Sequence, residues 1–511
     1  MIPKGSEGTL KKGYRISMLL RAFGLSCALV LAGATMSQAG PWADAGDRQL
    51  RSDIELLAQH GLIRGPITTW PLPWKQINAR LTLDNGRPLP PHVASALARV
   101  RDKMPNEGDF GRVKLALEAR GATRTKTARD FGDAARDNAD LTASAEVNWS
   151  ATSLRINIGY QGDDFGDRLV FDGSQLAFAL GNWAVYGGWV ERWWGPGWSS
   201  SLNLSTNARP VPTVGFMRLD PRPFGTKWLS WLGRWQFNAF IGRLDDDERF
   251  IKDPYFLGFR LTFEPLEGLE IGLSRNIMVC GDGRPCSFRT WTKALVGVGQ
   301  VENPTGPDAN ERDPGNQLAG FDVRYGFRLN DSMSAAVYGQ MIGEDEKDFL
   351  PFKFAHLAGV SVEGPWGDEG AMWRVTGEYT RTAADGIFRK TEYNVFYNHS
   401  RYRSGYRYHN RSLGDRLDGD SQGWYLSGMF TSRNSWTYRL TYQNALINMD
   451  DGGRHGLSRN RERINIFEAG LDLPSPIGDL GLELRYEDDK PNTPNRKDST
   501  TAIEARWSAS F

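Results

Sequence analysis

Two stretches of the sequence gather side chains suited to recognising a sugar. Residues 193–198 read Trp193-Trp194-Gly195-Pro196-Gly197-Trp198, and a Ser-rich run leads on to Asn207-Ala208-Arg209-Pro210. Aromatic faces stack on sugar rings, while Asn and Arg bond hydroxyls. Trp193, Trp194, Trp198, Asn207 and Arg209 are therefore candidate carbohydrate contacts. The same composition suits a structural role, with Gly-Pro-Gly forming turns and the Trp rings packing a loop into a mouth or an interfacial belt. The second stretch is 381–421. There Tyr393, Tyr397, Tyr402, Tyr406 and Tyr408 interleave with Arg401, Arg403, Arg407 and Arg411, beside His399 and His409. Arg and Tyr together offer charge-assisted bonds and stacking to an acidic glycan. Tyr402, Arg403, Tyr406, Arg407 and Tyr408 are the candidate contacts. The alternative is a plugging or solvated loop whose arginines pair with Asp415, Asp418 and Asp420 or bind lipopolysaccharide phosphates.

Other chemistry is weakly supported. The sequence has no phosphate loop, no H-E-x-x-H and no G-x-S-x-G elbow. Of the six His, His356 falls near a strand end, with no nucleophile motif beside it. Asp245-Asp246-Asp247-Glu248 can be a calcium loop or a solvated charge run. No catalytic residue, metal or cofactor is expected.

The elements that must position these loops follow from patterning. Lys11, Lys12, Arg15 and Arg21 precede an apolar stretch from Ala22 to Ala34, and Ser37-Gln38-Ala39 offers a cleavage site. Residues 1–39 thus read as a secretory signal. Its removal takes Cys27 and leaves Cys280 and Cys286 around a tight turn, which an exported protein most simply bonds as a local disulfide. Residues 40–110 read as a periplasmic helical domain. Leu50, Ile54 and Leu57 form one stripe stopped by Gly61; Trp70-Pro71-Leu72-Pro73-Trp74 opens a second helix; Pro91 opens a third carrying Val93, Leu97, Val100 and Met104.

From residue 111 to 511 the period is two. Leu154, Ile156, Ile158 and Tyr160 alternate with Arg155, Asn157 and Gly159, and Leu480, Leu482, Leu484 and Tyr486 with Gly481, Glu483 and Arg485. The polar face is rich in Arg and Glu, and aromatics gather near strand ends. An outward lipid face and a polar lumen account for both. Mean hydropathy is −0.49, which excludes a polytopic helical membrane protein but not a barrel. A net charge of +1 argues against nucleic acid as a partner. The fold class is accordingly an all-β transmembrane barrel of about eighteen antiparallel strands with a small N-terminal helical domain. Short connections such as Gly181-Asn182 and Asn330-Asp331 fall on the periplasmic side, and 192–211, 279–318 and 381–421 fall outside. The exception is 220–234, with Trp228 and Trp231, read as lying at the membrane interface. In the last strand Ile503, Ala505, Trp507, Ala509 and Phe511 share one face, a signal resembling that read by the barrel assembly machinery.

Three stretches carry a wider resemblance: Leu50-Arg51-Ser52-Asp53-Ile54 with Trp70-Pro71-Leu72-Pro73-Trp74; the Trp193–Trp198 run with Asn207-Ala208-Arg209-Pro210; and Gly405-Tyr406-Arg407-Tyr408 with Arg411-Ser412-Leu413-Gly414. In these the sequence resembles the Wzi family of capsule-assembly outer-membrane proteins. The resemblance implies an eighteen-stranded, occluded barrel with a periplasmic helical bundle. It also implies a lectin that holds exported capsular polysaccharide at the cell surface. The expectation is a monomeric, non-catalytic outer-membrane protein whose partners are polysaccharide and outer-membrane lipid. A substrate-selective porin is the alternative.

Overall fold

The computed structural model describes residues 41–81, 88–105, 107–163, 166–296, 315–347, 350–367, 369–386, 390–452, 454–489 and 498–511. The expected signal segment lies outside them, apart from which the barrel and its helices are nearly continuous.

The strands form one closed antiparallel barrel, sealed where Val113–Ala122 pairs with Thr500–Ser510. It has eighteen strand positions. One is split, because Gly166–Val170 pairs with the outer half of Thr152–Asp163 and Gln175–Leu180 with its inner half. The break is held by Asn157, which donates to the Asp172 carbonyl (2.9 Å), and by Gly173 at φ +83°. The alternation read from the sequence is realised inside out relative to a soluble protein. Leu440, Leu482, Leu484 and Ile503 are exposed, whereas Glu468, Arg485, Glu504 and Thr441 on the opposite face are buried. Only a lipid-facing wall makes that arrangement favourable. No helix among the described residues is long and apolar enough to cross a membrane, which says nothing of strands.

The wall is uneven in height. Ser334–Lys347, Leu350–Trp366 and Ala371–Gly386 run 14, 17 and 16 residues. A tilted strand needs only about 9–11 residues to cross the hydrocarbon, so these three rise above it at the outer end. The outer loop expected from residue 381 therefore begins as strand, as far as Gly386. The segment 220–234 carries a short 3-10 turn, Ser230–Leu232, with Trp228 and Trp231 both exposed on the rim.

Three helices precede the barrel: α1 (Arg48–Gln59), α2 (Trp74–Leu81) and α3 (Pro91–Lys103). Asp47 caps α1 by accepting from the Leu50 N–H (2.9 Å), and Gly61 at φ +74° ends it. Leu50, Ile54 and Leu57 pack with Val93, Leu97 and Val100 of α3, as their spacing predicts. The other face of α1 is polar and equally buried, carrying Arg51, Ser52, Asp53 and Glu55. It sits against charged lumen residues at the short-turn end of the barrel. The Glu55 carboxylate meets Arg374 (2.8 Å), Arg324 (3.4 Å) and Arg51 (2.9 Å), and Arg374 also pairs with Glu363. Burial pushes Glu55 up, but Arg374, Arg324 and Arg51 outweigh it and hold the group down to about 2. The helices are therefore a plug bound by ion pairs inside the mouth.

Candidate carbohydrate site and its supports

The Trp193–Trp198 run descends from the outer rim to meet this plug. Trp193-Trp194 pairs with Thr69-Trp70 in a two-residue antiparallel ribbon. Wall side chains hold the rest by its backbone. Glu378 accepts from the Trp198 and Ser199 N–H groups (2.6 and 2.8 Å), and Gln340 accepts from Leu202 N–H while donating to the Trp194 carbonyl (2.8 and 2.9 Å). From below, Arg51 donates to the Pro196 and Gly197 carbonyls (2.6 and 2.9 Å) and lies 4.4 Å from the Trp198 ring. Gly195 allows this closeness, since a Cβ there would stand 2.7 Å from the Gln340 amide. Phe131, from the inward-folded segment 123–138, packs edge-on between Trp70 and Trp193. Trp193, Trp194 and Trp198 are all buried, so in this conformation their faces meet protein. Asn207 is buried too and donates to the Ser412 carbonyl (3.0 Å); Arg209 grips Asp172 with two bonds (3.0 and 2.8 Å).

The long loop has a buried root and an exposed tip. Tyr406 stacks on Tyr397 at 5.4 Å and donates to the Asn203 carbonyl (2.7 Å). Arg407 forms two bonds with Asp418 (2.7 and 2.8 Å) and a third with Asn398 (3.0 Å). Tyr402 donates to the Cys280 carbonyl (3.0 Å), and Tyr408 to Asp245. All four are buried. Arg407 thus makes the ion pair to Asp418 that the alternative reading named. The acidic run is a receptor for this loop: besides Asp245, Asp246 accepts from the His409 N–H (3.0 Å) and Glu248 from Asn410 (3.1 Å). Among the described residues no group of three or more His, Cys, Asp or Glu gathers to hold a metal. His356 lies 3.7 Å from Asp385.

What remains at the surface is smaller. Of the ten candidate residues Arg403 is exposed and Arg209 half-buried; the other eight are buried. The Arg403 guanidinium lies 4.8 Å over the exposed Phe250 ring. Arg401 and the exposed Tyr393 belong to the same loop, and Arg454 reaches in from 448–461 to donate to the His399 carbonyl (3.0 Å). Burial, with Arg407 and Arg403 nearby, pushes the Arg454 guanidinium down, a sign that positive charge is concentrated here. Arg284, in the Cys280–Cys286 disulfide loop (Cα–Cα 4.9 Å), lies 5.3 Å over the Tyr402 ring. Sequence reading missed Phe250, Arg454 and Arg284, which come from three other outer loops.

Comparison with known proteins decides the lineage. Residues 111–504 match the family model described as capsule assembly protein Wzi. The chain belongs to the Wzi family. A Klebsiella pneumoniae relative, described as an uncharacterised 55.8 kDa protein in the cps region, is 30% identical over 344 residues, or 66% of this chain. The match spans 65% of that relative's length, just under two thirds. A solved Escherichia coli structure, described as Wzi, an outer-membrane protein involved in group 1 capsule assembly and a carbohydrate-binding β-barrel, superposes with a TM-score of 0.77 at 24% identity. It covers 93% of this chain and 100% of that one. Wzi membership and this fold place the barrel in the outer membrane.

The lumen of this Wzi barrel is largely filled. Trp194, Trp198, Phe240, Phe256, Tyr397 and Tyr406 belong to one buried cluster drawn from both loops and the wall. A polar crevice persists on one side. A cavity of about 770 Å³ beside the plug and one of about 430 Å³ share Asp44, Lys114, Asp133, Glu146 and Arg155 in their linings. Arg155 bridges Asp44 (2.6 Å) and Glu146 (2.7 Å) across the crevice.

Proposed function

We propose that this protein holds acidic capsular or exported polysaccharide at the cell surface without covalent chemistry. The contact surface is Arg403 over Phe250 with Arg401, Arg454 and Tyr393. The observation that carries the reading is the exposed Arg403 over the Phe250 ring, with Arg454 near it, on a loop whose root is bonded to the barrel. A rigid root spares the ordering cost of binding, and exposed guanidiniums beside rings suit carboxylated or phosphorylated sugars. The buried candidates Trp193, Trp194, Trp198, Asn207, Tyr402, Tyr406, Arg407 and Tyr408 serve this surface by holding its shape, and Arg209 braces its edge through Asp172. The description of the E. coli structure as carbohydrate-binding supports the same reading. The test is binding of the host's own acidic polysaccharide to the folded, detergent-solubilised protein, with neutral dextran as control. Saturable binding that falls with salt and weakens about tenfold in Arg403→Ala/Arg454→Ala supports it. Equal binding of dextran, or no binding, removes it.

The polar crevice favours a second reading, a narrow passage for small solutes. Steady conductance of single barrels in a lipid bilayer, with no glycan binding, would favour it.

A further inference from the structure

The loop after strand Leu269–Val279 contains a helix that the sequence reading took for loop. This is α4 (Phe288–Val296). It lies on the outside of the barrel. Leu273, Arg275, Ile277 and Val279 alternate onto the lipid-facing side of their strand, and Leu273 is exposed as such residues are elsewhere. Ile277, Val279 and Leu257 on that same face are buried instead, because Ala294 and Trp291 of α4 cover them. Trp291 meets the Tyr255 ring at 5.4 Å. Arg275, four residues or about 13 Å below the strand's outer end, donates to the Ala294 and Leu295 carbonyls (3.1 and 2.9 Å). It thereby caps a helix end whose carbonyls have no intrahelical partners and satisfies its own guanidinium on the lipid side.

The apolar stripe of α4 runs on past the residues that touch the wall. Phe288 (86% exposed) and Leu295 continue it, and Val296 at the helix end is exposed too. An exposed apolar stripe of this kind, continuous with the exposed outer wall, belongs in an apolar medium with its charged flank at the interface. Arg289 and Lys293, at i and i+4, share one flank. The Cys280–Cys286 bond shortens the tether between strand and helix.

We propose that α4 is a docking surface for a phosphorylated glycolipid of the outer leaflet. Acyl chains lie on Phe288, Leu295 and Val296, and Arg289 and Lys293 face the phosphates. This is separate from glycan binding, and none of these residues belongs to the Arg403 cluster.

The test uses the folded full-length protein in detergent, with purified rough lipopolysaccharide as probe and phosphatidylglycerol and inorganic phosphate as comparisons. Native mass spectrometry counts retained lipid, and hydrogen exchange reports residues 288–296. The proposal expects retained lipopolysaccharide with slowed exchange across α4. Both Phe288→Ser/Leu295→Ser/Val296→Ser and Arg289→Glu/Lys293→Glu should bind about tenfold more weakly, with heat-modifiable mobility and polysaccharide binding unchanged. Equal retention of phosphatidylglycerol would overturn it, as would undiminished binding by both variants. Displacement by inorganic phosphate alone would overturn the acyl contact, and a doubled particle mass without lipid would assign the face to a second copy.

Discussion

The loops 192–211 and 381–421 look alike in sequence, both aromatic, both with Arg and Asn, and both long. In the fold they differ. The first enters the lumen completely, and its Trp rings, backbone amides and carbonyls find partners on the plug and the wall. The second enters only by its root, leaving Arg403 and Tyr393 exposed and Arg401 half-buried. Aromatic and Arg content therefore does not separate a stacking platform from a core. What separates them is whether the partners lie in the same chain.

The comparison breaks most visibly at Trp198. Its ring sits between Arg51 and Arg374, at 4.4 and 4.9 Å. Trp198→Ala should cost about 3–5 kcal/mol, read as a lowered midpoint in heat-modifiable gel mobility, and should raise bilayer conductance by opening the lumen. A normal midpoint and a silent bilayer would mean that the run is not structural.

Glu55→Ala comes next. It leaves Arg374, Arg324 and Arg51 buried without their shared carboxylate, at a cost of about 3–5 kcal/mol to plug docking. The plug residues 41–105 should become sensitive to protease added from the periplasmic side. Acid should mimic the change. The Glu55 carboxyl is held at about 2 when folded against an ordinary 4.5, so its contribution is full above 4.5 and fades as pH falls toward 2. Plug release that ignores pH across that window would count against the ion-pair account.

The exposed tip should behave in the opposite way. Arg403→Ala with Arg454→Ala is expected to leave the gel midpoint unchanged while weakening acidic polysaccharide binding about tenfold, the loss of one or two charge-assisted bonds. A fall in stability instead would move this cluster into the structural class with the Trp loop.

The smallest effect sharpens the boundary between root and tip. Asp420 accepts from the Asn394 N–H (2.7 Å), and its other oxygen is buried without a partner. Burial, with Asp450 and Asp418 nearby and Arg407 opposing, raises it from 3.8 to about 7. Between those values the folded loop must keep a proton that the unfolded chain releases. Root stability therefore declines as pH rises from about 4 to about 7 and is flat beyond. Hydrogen exchange at 393–398 should quicken over that window, and Asp420→Asn should flatten the response.

Much of the architecture was legible because its signals are local. Alternation marks each strand within its own residues, so a barrel of about eighteen strands is legible before any pairing is known. The helix stripes and the prolines that open them are equally short-range. The break at Phe171–Ser174 leaves no mark in its own strand, since Asn157, which holds it, lies on the neighbouring one. Helix α4 was missed because nine residues inside a long loop do not make a stable helix alone. It stands on the outer wall and on Arg275.

The sequence alone determined the barrel, its polar lumen, the helical plug segments and the loops that carry Arg and aromatics, because period and breakers act over a few residues. Only the tertiary structure decided which loop residues face solvent. Arg51 meets Gly197, Glu378 meets Trp198, and Tyr406 meets Asn203 across at least 146 residues of chain. Burying each polar group requires its distant partner to be in place, and no local pattern records that partner.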